Sequence, residues 1–105
     1  MAAARGVSIL SPRARSRRLA PGASVRQAFK NMKTIAESEG ARLSDCVRLT
    51  VFVTAMAALR PLVNKIQEEL WGGGPYPPRT IVEVVRLNQD DIFEVEGTFY
   101  APAGR

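Results

Sequence analysis

The most regular pattern of apolar residues lies in the last third of the chain. The prolines at 77–78 keep the backbone extended and remove two hydrogen-bond donors, so a strand can begin only at about Arg79. The run that follows is rich in β-branched side chains, which favour a pleated strand. Its members are Thr80, Ile81, Val82, Val84 and Val85. Residues 88–91 are typical of a turn, and residues 92–101 predict an antiparallel return strand. The pattern therefore predicts a hairpin in which Arg79 and Glu94 can lie close together.

A helical spacing of apolar residues follows the Pro21-Gly22 pair, which marks a boundary in the chain. Ser24, with Gln27 three residues later, resembles a capping box, and Gly40 is typical of the residue just after a helix. The apolar stripe between these signals predicts an amphipathic helix that packs into the core. It comprises Val25, Ala28, Phe29, Met32, Ile35 and Ala36.

Residues 46–54 alternate between apolar and mixed side chains, which predicts a strand with one strongly apolar face. That face comprises Val47, Leu49, Val51 and Val53. A second helix is predicted after residues 55–59, with Pro61 accommodated in its first turn. Its buried stripe comprises Leu59, Leu62, Val63, Ile66 and Leu70.

The order of these elements predicts an α+β fold. The strand–helix–strand path from residue 46 to residue 85 should form a right-handed crossover between parallel strands, and the last strand should then add antiparallel. Both helices would cover one face of a mixed β-sheet. The 105 residues leave room for one domain, which we place at residues 24–105 behind a basic segment at residues 1–23.

The net charge of +5 is unevenly distributed along the chain. The first 36 residues contain eight basic side chains and no acid, whereas the remainder carries seven basic and ten acidic residues. Residues 1–23 include a short apolar stretch, residues 6–10, that could form a strand, and a basic cluster at residues 13–18. Three interpretations stay open for this segment: a flexible solvated arm, an organelle-targeting presequence that would make the protein mitochondrial, and an arm that contacts nucleic acid.

The chain has no histidine, and Cys46 is its single cysteine. These absences exclude histidine-based catalytic triads and an internal disulfide, and they disfavour a zinc site. A lone cysteine fits a reducing compartment, and we expect Cys46 to be a packing residue. No apolar run is long enough to span a bilayer. We therefore expect a cytoplasmic protein without a membrane partner.

Several motifs in a shared order and spacing resemble the RidA/YjgF family, small trimeric proteins that hydrolyse reactive enamines and imines. Residues 77–84 (PPRTIVEV) are similar to the family's P-x-R-(S/T)-x-V-E-V signature, and residues 93–96 (FEVE) to its (I/V)-E-(I/V)-E signature. Residues 46–53 (CVRLTVFV) are similar to its V-V-K-T-T-V-F-L strand. The resemblance covers residues 24–101. It implies a chorismate-mutase-like fold and a homotrimer with its sites between subunits.

The chain departs from the family pattern at two places. The family's leading pair of strands, with a tyrosine and an S-G-Q turn, has no counterpart in residues 1–23. Ile81 replaces the cysteine that is often found two residues after the arginine. The resemblance therefore predicts a RidA-like sheet whose leading strands are lacking or altered.

The resemblance also implies a chemistry, the hydrolysis of small 2-imino or 2-enamino acids to 2-keto acids and ammonia. Arg79 would bind the substrate carboxylate, and Glu94 would position or deprotonate the attacking water. Asn64 matches a helical asparagine that lies near the family's ligand cleft, and Ile81 stands where the family often has a cysteine beside the arginine. Tyr76 is a candidate for a cleft wall by its own position, and packing at an interface is an equally good interpretation of it. No metal ion or organic cofactor is implied.

Alternatives to this assignment remain at the level of the sequence. By spacing alone, Arg79 is more often an ordinary strand-edge arginine, and Glu96 shares a strand face with Glu94, so only the family motif distinguishes the two glutamates. The same cleft could belong to a non-catalytic trimer that binds small carboxylic acids. A further alternative is an RNA-associated protein that acts through its basic front, although nucleic acid is the less expected partner because aromatic residues do not accompany the arginines.

Overall fold

The protein folds as a four-stranded mixed sheet with two helices packed on one of its faces. The computed structural model describes residues 4–10 and 20–103. The strands are β1 (Arg5–Leu10), β2 (Cys46–Val53), β3 (Arg79–Glu83) and β4 (Phe93–Ala101), and the helices are α1 (Pro21–Ser38) and α2 (Met56–Trp71). The predicted α+β fold is confirmed.

The strand order is β1-β4-β2-β3, and it places β2 between the two strands that carry Arg79 and Glu94. β3 pairs with β2 in parallel, as the crossover pattern predicts, whereas β4 pairs antiparallel with both β2 and β1. The predicted hairpin of β3 and β4 is therefore wrong. β4 lies inside the sheet, where pairing with β2 stabilises it, and β3 lies at the edge of the sheet.

β1 comes from the basic front segment and is an integral strand of the sheet. It pairs with β4 from Arg5↔Ala101 to Leu10↔Glu96, and its Ile9 side chain is buried in the core. α1 begins at Pro21, three residues before the predicted start of the domain. One leading strand is thus present in the sheet, and the basic cluster at residues 13–18 lies outside the described residues.

The ends of α1 differ in how well the sequence predicts them. Ser24 is not the N-cap, because its backbone N–H already donates to the carbonyl of Ala20 at 2.9 Å and lies inside the first turn. The proline at the first helical position is the effective start signal. Gly40 adopts φ 82° as predicted, and the next N–H, of Ala41, donates to the carbonyl of Ala36 at 2.9 Å, which completes a Schellman ending.

A bulge interrupts the pairing of β2 with β4 between Cys46 and Arg48. It turns Val47 outward, where 51% of the residue is exposed, so the prediction that Val47 shares one face with Leu49, Val51 and Val53 is wrong. The alternation holds beyond the bulge, and Leu49, Val51 and Val53 are fully buried.

α2 starts earlier than predicted, at Met56, and Pro61 consequently lies in its second turn instead of its first. The backbone N–H of Met56 donates to the Glu83 carboxylate at 2.9 Å. This contact satisfies one of the free N–H groups at the helix start and connects α2 to the end of β3.

Gly97 allows α1 to approach β4 closely. A Cβ atom at this position would lie 2.8 Å from both Met32 Sδ and Phe99 Cε1, which is closer than carbon packs in a protein core. We expect Gly97→Ala to lower the free energy of unfolding by about 1–3 kcal/mol through overpacking. Urea unfolding at fixed protein concentration measures the change. Gly6→Ala is the matched control, because its new Cβ would have only the Phe99 carbonyl oxygen nearby, at 4.0 Å; equal losses in both variants would contradict the packing explanation.

The sheet face opposite the helices is open, and it carries exposed apolar side chains. Leu10, Val82 and Tyr100 lie on this face with 53%, 38% and 53% of each residue exposed. In the part of the chain that the structure describes, no helix covers them. This surface is hereafter called the open face.

Candidate active site

Arg79 is the first residue of β3, and the strand register points its side chain toward the helices. It lies in parallel register with Leu49, which is fully buried beneath the helices, and the Pro78 carbonyl accepts the Leu49 N–H at 2.9 Å. Residues in register on neighbouring strands share a face of the sheet. Arg79 is thus half-buried between the start of β3 and the middle of α2.

Two amide oxygens of α2 hold the Arg79 guanidinium. Nη1 donates to Asn64 Oδ1 at 2.7 Å and to Gln67 Oε1 at 3.1 Å. Both acceptors are neutral, so they orient the group without cancelling its positive charge. Burial, and secondarily the nearby charge of Arg60, lowers the pKa of Arg79 from its ordinary value; an arginine nevertheless stays protonated in proteins.

An open cleft of about 500 Å³ surrounds this arginine. It is lined by Asn64, Gln67, Glu68, Tyr76, Pro77 and Arg79. The structure thus brings together three of the residues singled out in the sequence: Arg79, Asn64 and Tyr76. The Tyr76 hydroxyl donates to the Gly72 carbonyl, which holds the ring at the cleft wall.

Gln67 is a cleft residue that the sequence analysis missed. Its side chain is buried, with 6% exposed, although the helical stripe was assigned from apolar residues alone. The available signal was its spacing: Gln67 lies three residues after Asn64 and four after the buried Val63, on the inner side of the helix.

Ile81 and Glu94 lie apart from the cleft. Ile81 is two residues after Arg79 on the same face of β3 and packs against the core. Glu94 pairs with Phe52, which is in register with Val82 on the open face. Arg79 and Glu94 therefore project from opposite faces of the sheet of one protomer, and the predicted proximity within a hairpin is wrong.

The other groups of chemical interest have simple environments. Cys46 is buried, as predicted, and burial raises the pKa of its thiol to about 11, so the nucleophilic thiolate is scarce at neutral pH. Across residues 4–10 and 20–103, no cluster of three or more histidine, cysteine, aspartate or glutamate side chains is arranged to hold a metal ion. Over the same ranges, neither helix is long and apolar enough to cross a membrane.

The fold and the cleft define a class: a small α+β protein with a charged arginine presented at the start of an edge strand beneath a helix. Residues 15–101 match the family model described as endoribonuclease L-PSP. The chain belongs to this family, the RidA/YjgF family, and the resemblance stated from its motifs is confirmed.

Curated relatives include proteins named as imine deaminases. The chain is 36% identical over 76 residues to 2-iminobutanoate/2-iminopropanoate deaminase of Salmonella typhimurium, covering 70% of this chain and 59% of the relative. It is 34% identical over 70 residues to the protein of the same name from Dermatophagoides farinae, covering 67% and 53%. The chain thus spans a little over half the length of the curated relatives it matches.

Solved structures of the family share the fold. A probable translation initiation inhibitor from Rhodopseudomonas palustris is 48% identical, with a TM-score of 0.86 over 93% of this chain and 80% of that one. The YjgF gene product of Escherichia coli is 28% identical, with a TM-score of 0.76 over 90% of this chain and 84% of that one.

Proposed function

We propose that the protein hydrolyses small 2-imino and 2-enamino acids to 2-keto acids and ammonia. The observation that carries this proposal is the half-buried Arg79, whose charge is held by two neutral amide oxygens at the wall of an open cleft. Among the residues that the structure describes, Arg79 forms no salt bridge with an acid, and such a cation is suited to an anionic ligand. The relatives named as imine deaminases supply the reaction class.

Arg79 contributes binding and orientation in this scheme. Its guanidinium forms two parallel hydrogen bonds to the substrate carboxylate, which fixes the adjacent imine carbon in the cleft. Water adds to that carbon, the nitrogen takes up protons, and the C–N bond breaks to release ammonia and leave a keto group. Oxidation states of the substrate and product are the same, so the reaction needs no redox partner.

Glu94 is proposed as the residue that positions the water and transfers protons. Because it lies on the open face, a second copy of the chain must supply it to the cleft of the first. Such an assembly would also cover the exposed apolar side chains of the open face, Leu10, Val82 and Tyr100. We propose a homotrimer in which each site combines Arg79 of one copy with Glu94 of the next.

The direct test is imine hydrolysis. An amino-acid oxidase or a dehydratase generates the imino acid, and semicarbazide competes for what remains. The protein is expected to reduce semicarbazone formation and to speed release of the keto acid. A folded protein that produces no acceleration at any concentration would overturn the deaminase proposal.

A carboxylate-binding module without catalysis is the second candidate. The separation of Glu94 from the cleft favours it, because the arginine and its amide oxygens are complete within one protomer. Binding of 2-ketobutyrate without any acceleration of imine hydrolysis would support this candidate over the first.

A further inference from the structure

Gln67 is the one buried polar side chain among the residues that the structure describes. A buried amide is costly unless its polar atoms are satisfied, so its position calls for a partner. That partner is Arg79, which lies on another element of the fold. Asn64 contacts the same nitrogen from an exposed position. Of the two amides, Gln67 is therefore the one that packing holds in place.

The contacts of Arg79 leave one defined edge of its guanidinium for a ligand. Nη1 carries two N–H groups and has two acceptors, Asn64 and Gln67. In residues 4–10 and 20–103, neither Nε nor Nη2 of Arg79 makes a hydrogen bond. The Nε–H and one Nη2–H point in the same direction and match the two oxygens of a carboxylate. The fork formed by Nη1 and Nη2 is blocked, because Nη1 is already occupied.

We infer that Gln67 is a positioning residue: by occupying Nη1 it fixes Arg79 so that the ligand carboxylate binds side-on, through Nε and Nη2. The neutrality of Gln67 is as necessary as its oxygen atom, because an acid at this position would pair with Arg79 and cancel the charge that attracts the ligand. This inference deepens the proposed function and rests on its assignment of Arg79 as the carboxylate-binding group.

Gln67→Glu separates this role from a purely structural one. The substitution keeps the size and the acceptor, and it adds an attraction between residue 67 and Arg79, so a structural role predicts a folded protein with undiminished ligand binding. The positioning role predicts that the dissociation constant for 2-ketobutyrate rises by about 100-fold. Gln27→Glu is the matched control, since this glutamine is exposed on α1 and its side-chain amide donates to Asn31, away from the cleft; it should bind 2-ketobutyrate as the wild type does.

Gln67→Met provides a second variant that does not depend on burying a carboxylate. It removes the oxygen and keeps the approximate volume, so the guanidinium can rotate, and we expect the dissociation constant to rise by about 10-fold. Isothermal titration with 2-ketobutyrate measures both variants, after thermal unfolding has verified that each is folded.

The outcomes distinguish this inference from the proposed function. If Gln67→Glu binds 2-ketobutyrate with wild-type affinity, the positioning role is overturned. If Gln67→Glu does not fold, wild-type affinity for 2-ketobutyrate in Gln67→Met overturns it instead. A wild-type protein that binds no 2-ketobutyrate overturns it as well. A wild-type protein that binds 2-ketobutyrate without hydrolysing imines, together with weak binding by the Gln67 variants, overturns only the deaminase function and supports the role of Gln67.

Discussion

A mixture of the Arg79→Ala and Glu94→Ala proteins is expected to recover activity that neither protein has alone. Arg79 faces the helices and Glu94 faces the other side of the sheet, so a site that uses both must draw them from two copies of the chain. In a cyclic trimer assembled at random from equal amounts of the two variants, about a quarter of the sites contain both residues. Keto-acid formation should therefore return to about a quarter of the wild-type rate.

The mixing experiment requires exchange of subunits, so the two variants are unfolded together in urea and refolded by dilution. Each variant carried through the same procedure alone should stay far below about a quarter of the wild-type rate, and the refolded wild type sets the reference rate. A mixture that stays inactive, beside a wild type that regains its activity, would falsify the composite site. Sedimentation equilibrium on the same samples reports whether trimers have formed.

Arg79→Ala alone is expected to lower kcat/KM for imine hydrolysis by about 100-fold. Hydrogen bonds to a charged group contribute up to about 3 kcal/mol when they are shielded from water, which corresponds to a loss of this size. Arg79→Lys should recover only part of the activity, because an ammonium retains the charge but lacks the planar fork that binds a carboxylate at two points.

Arg86→Ala is the matched control for this prediction. Arg86 follows β3 on the surface, its side chain is 80% exposed, and its contact with Asp90 is loose at 3.8 Å. Its removal should leave kcat/KM unchanged. A loss of comparable size in Arg86→Ala would indicate that general electrostatic attraction of the substrate, and not binding in the cleft, explains the effect of Arg79.

Local patterns in the sequence predict where the helices and strands of this fold form. Which strands pair with each other depends instead on contacts between residues far apart in the chain. The β-branched run after Arg79 and the helical stripes of α1 and α2 each depend on neighbours in the chain, and all three elements form, although β3 ends at Glu83 and the predicted strand residues Val84 and Val85 lie outside it. The partner of β3 depends instead on which strand occupies the centre of the sheet. β2 takes that place, with β3 and β4 on either side. Turn residues between β3 and β4 therefore did not imply a hairpin.

The residues of the candidate site likewise divide into those that a local motif identifies and those that depend on contacts between elements. The motif around Arg79 identifies the arginine, the family resemblance adds Asn64, and the position of Tyr76 before the strand suggests a cleft wall; all three line the cleft. Hydropathy could not identify Gln67 as a buried cleft residue, because its burial depends on a hydrogen bond with Arg79, a side chain from another element. The outward turn of Val47 likewise results from a bulge against β4, which periodicity within one strand cannot reveal.

The contacts between β3 and α2 have a consequence for how the cleft can vary. At the start of β3, Arg79 donates to Asn64 and Gln67; at its end, Glu83 accepts from the backbone of Met56. These two sets of hydrogen bonds lie at opposite ends of β3 and on separate turns of α2. Together they oppose sliding of the helix along the strand. The mouth of the cleft thus keeps its width, while Tyr76 and Glu68 at its rim take no part in these contacts. For the proposed function, this arrangement would let substitutions at the rim change which ligand side chain fits while Arg79 binds the carboxylate in the same way.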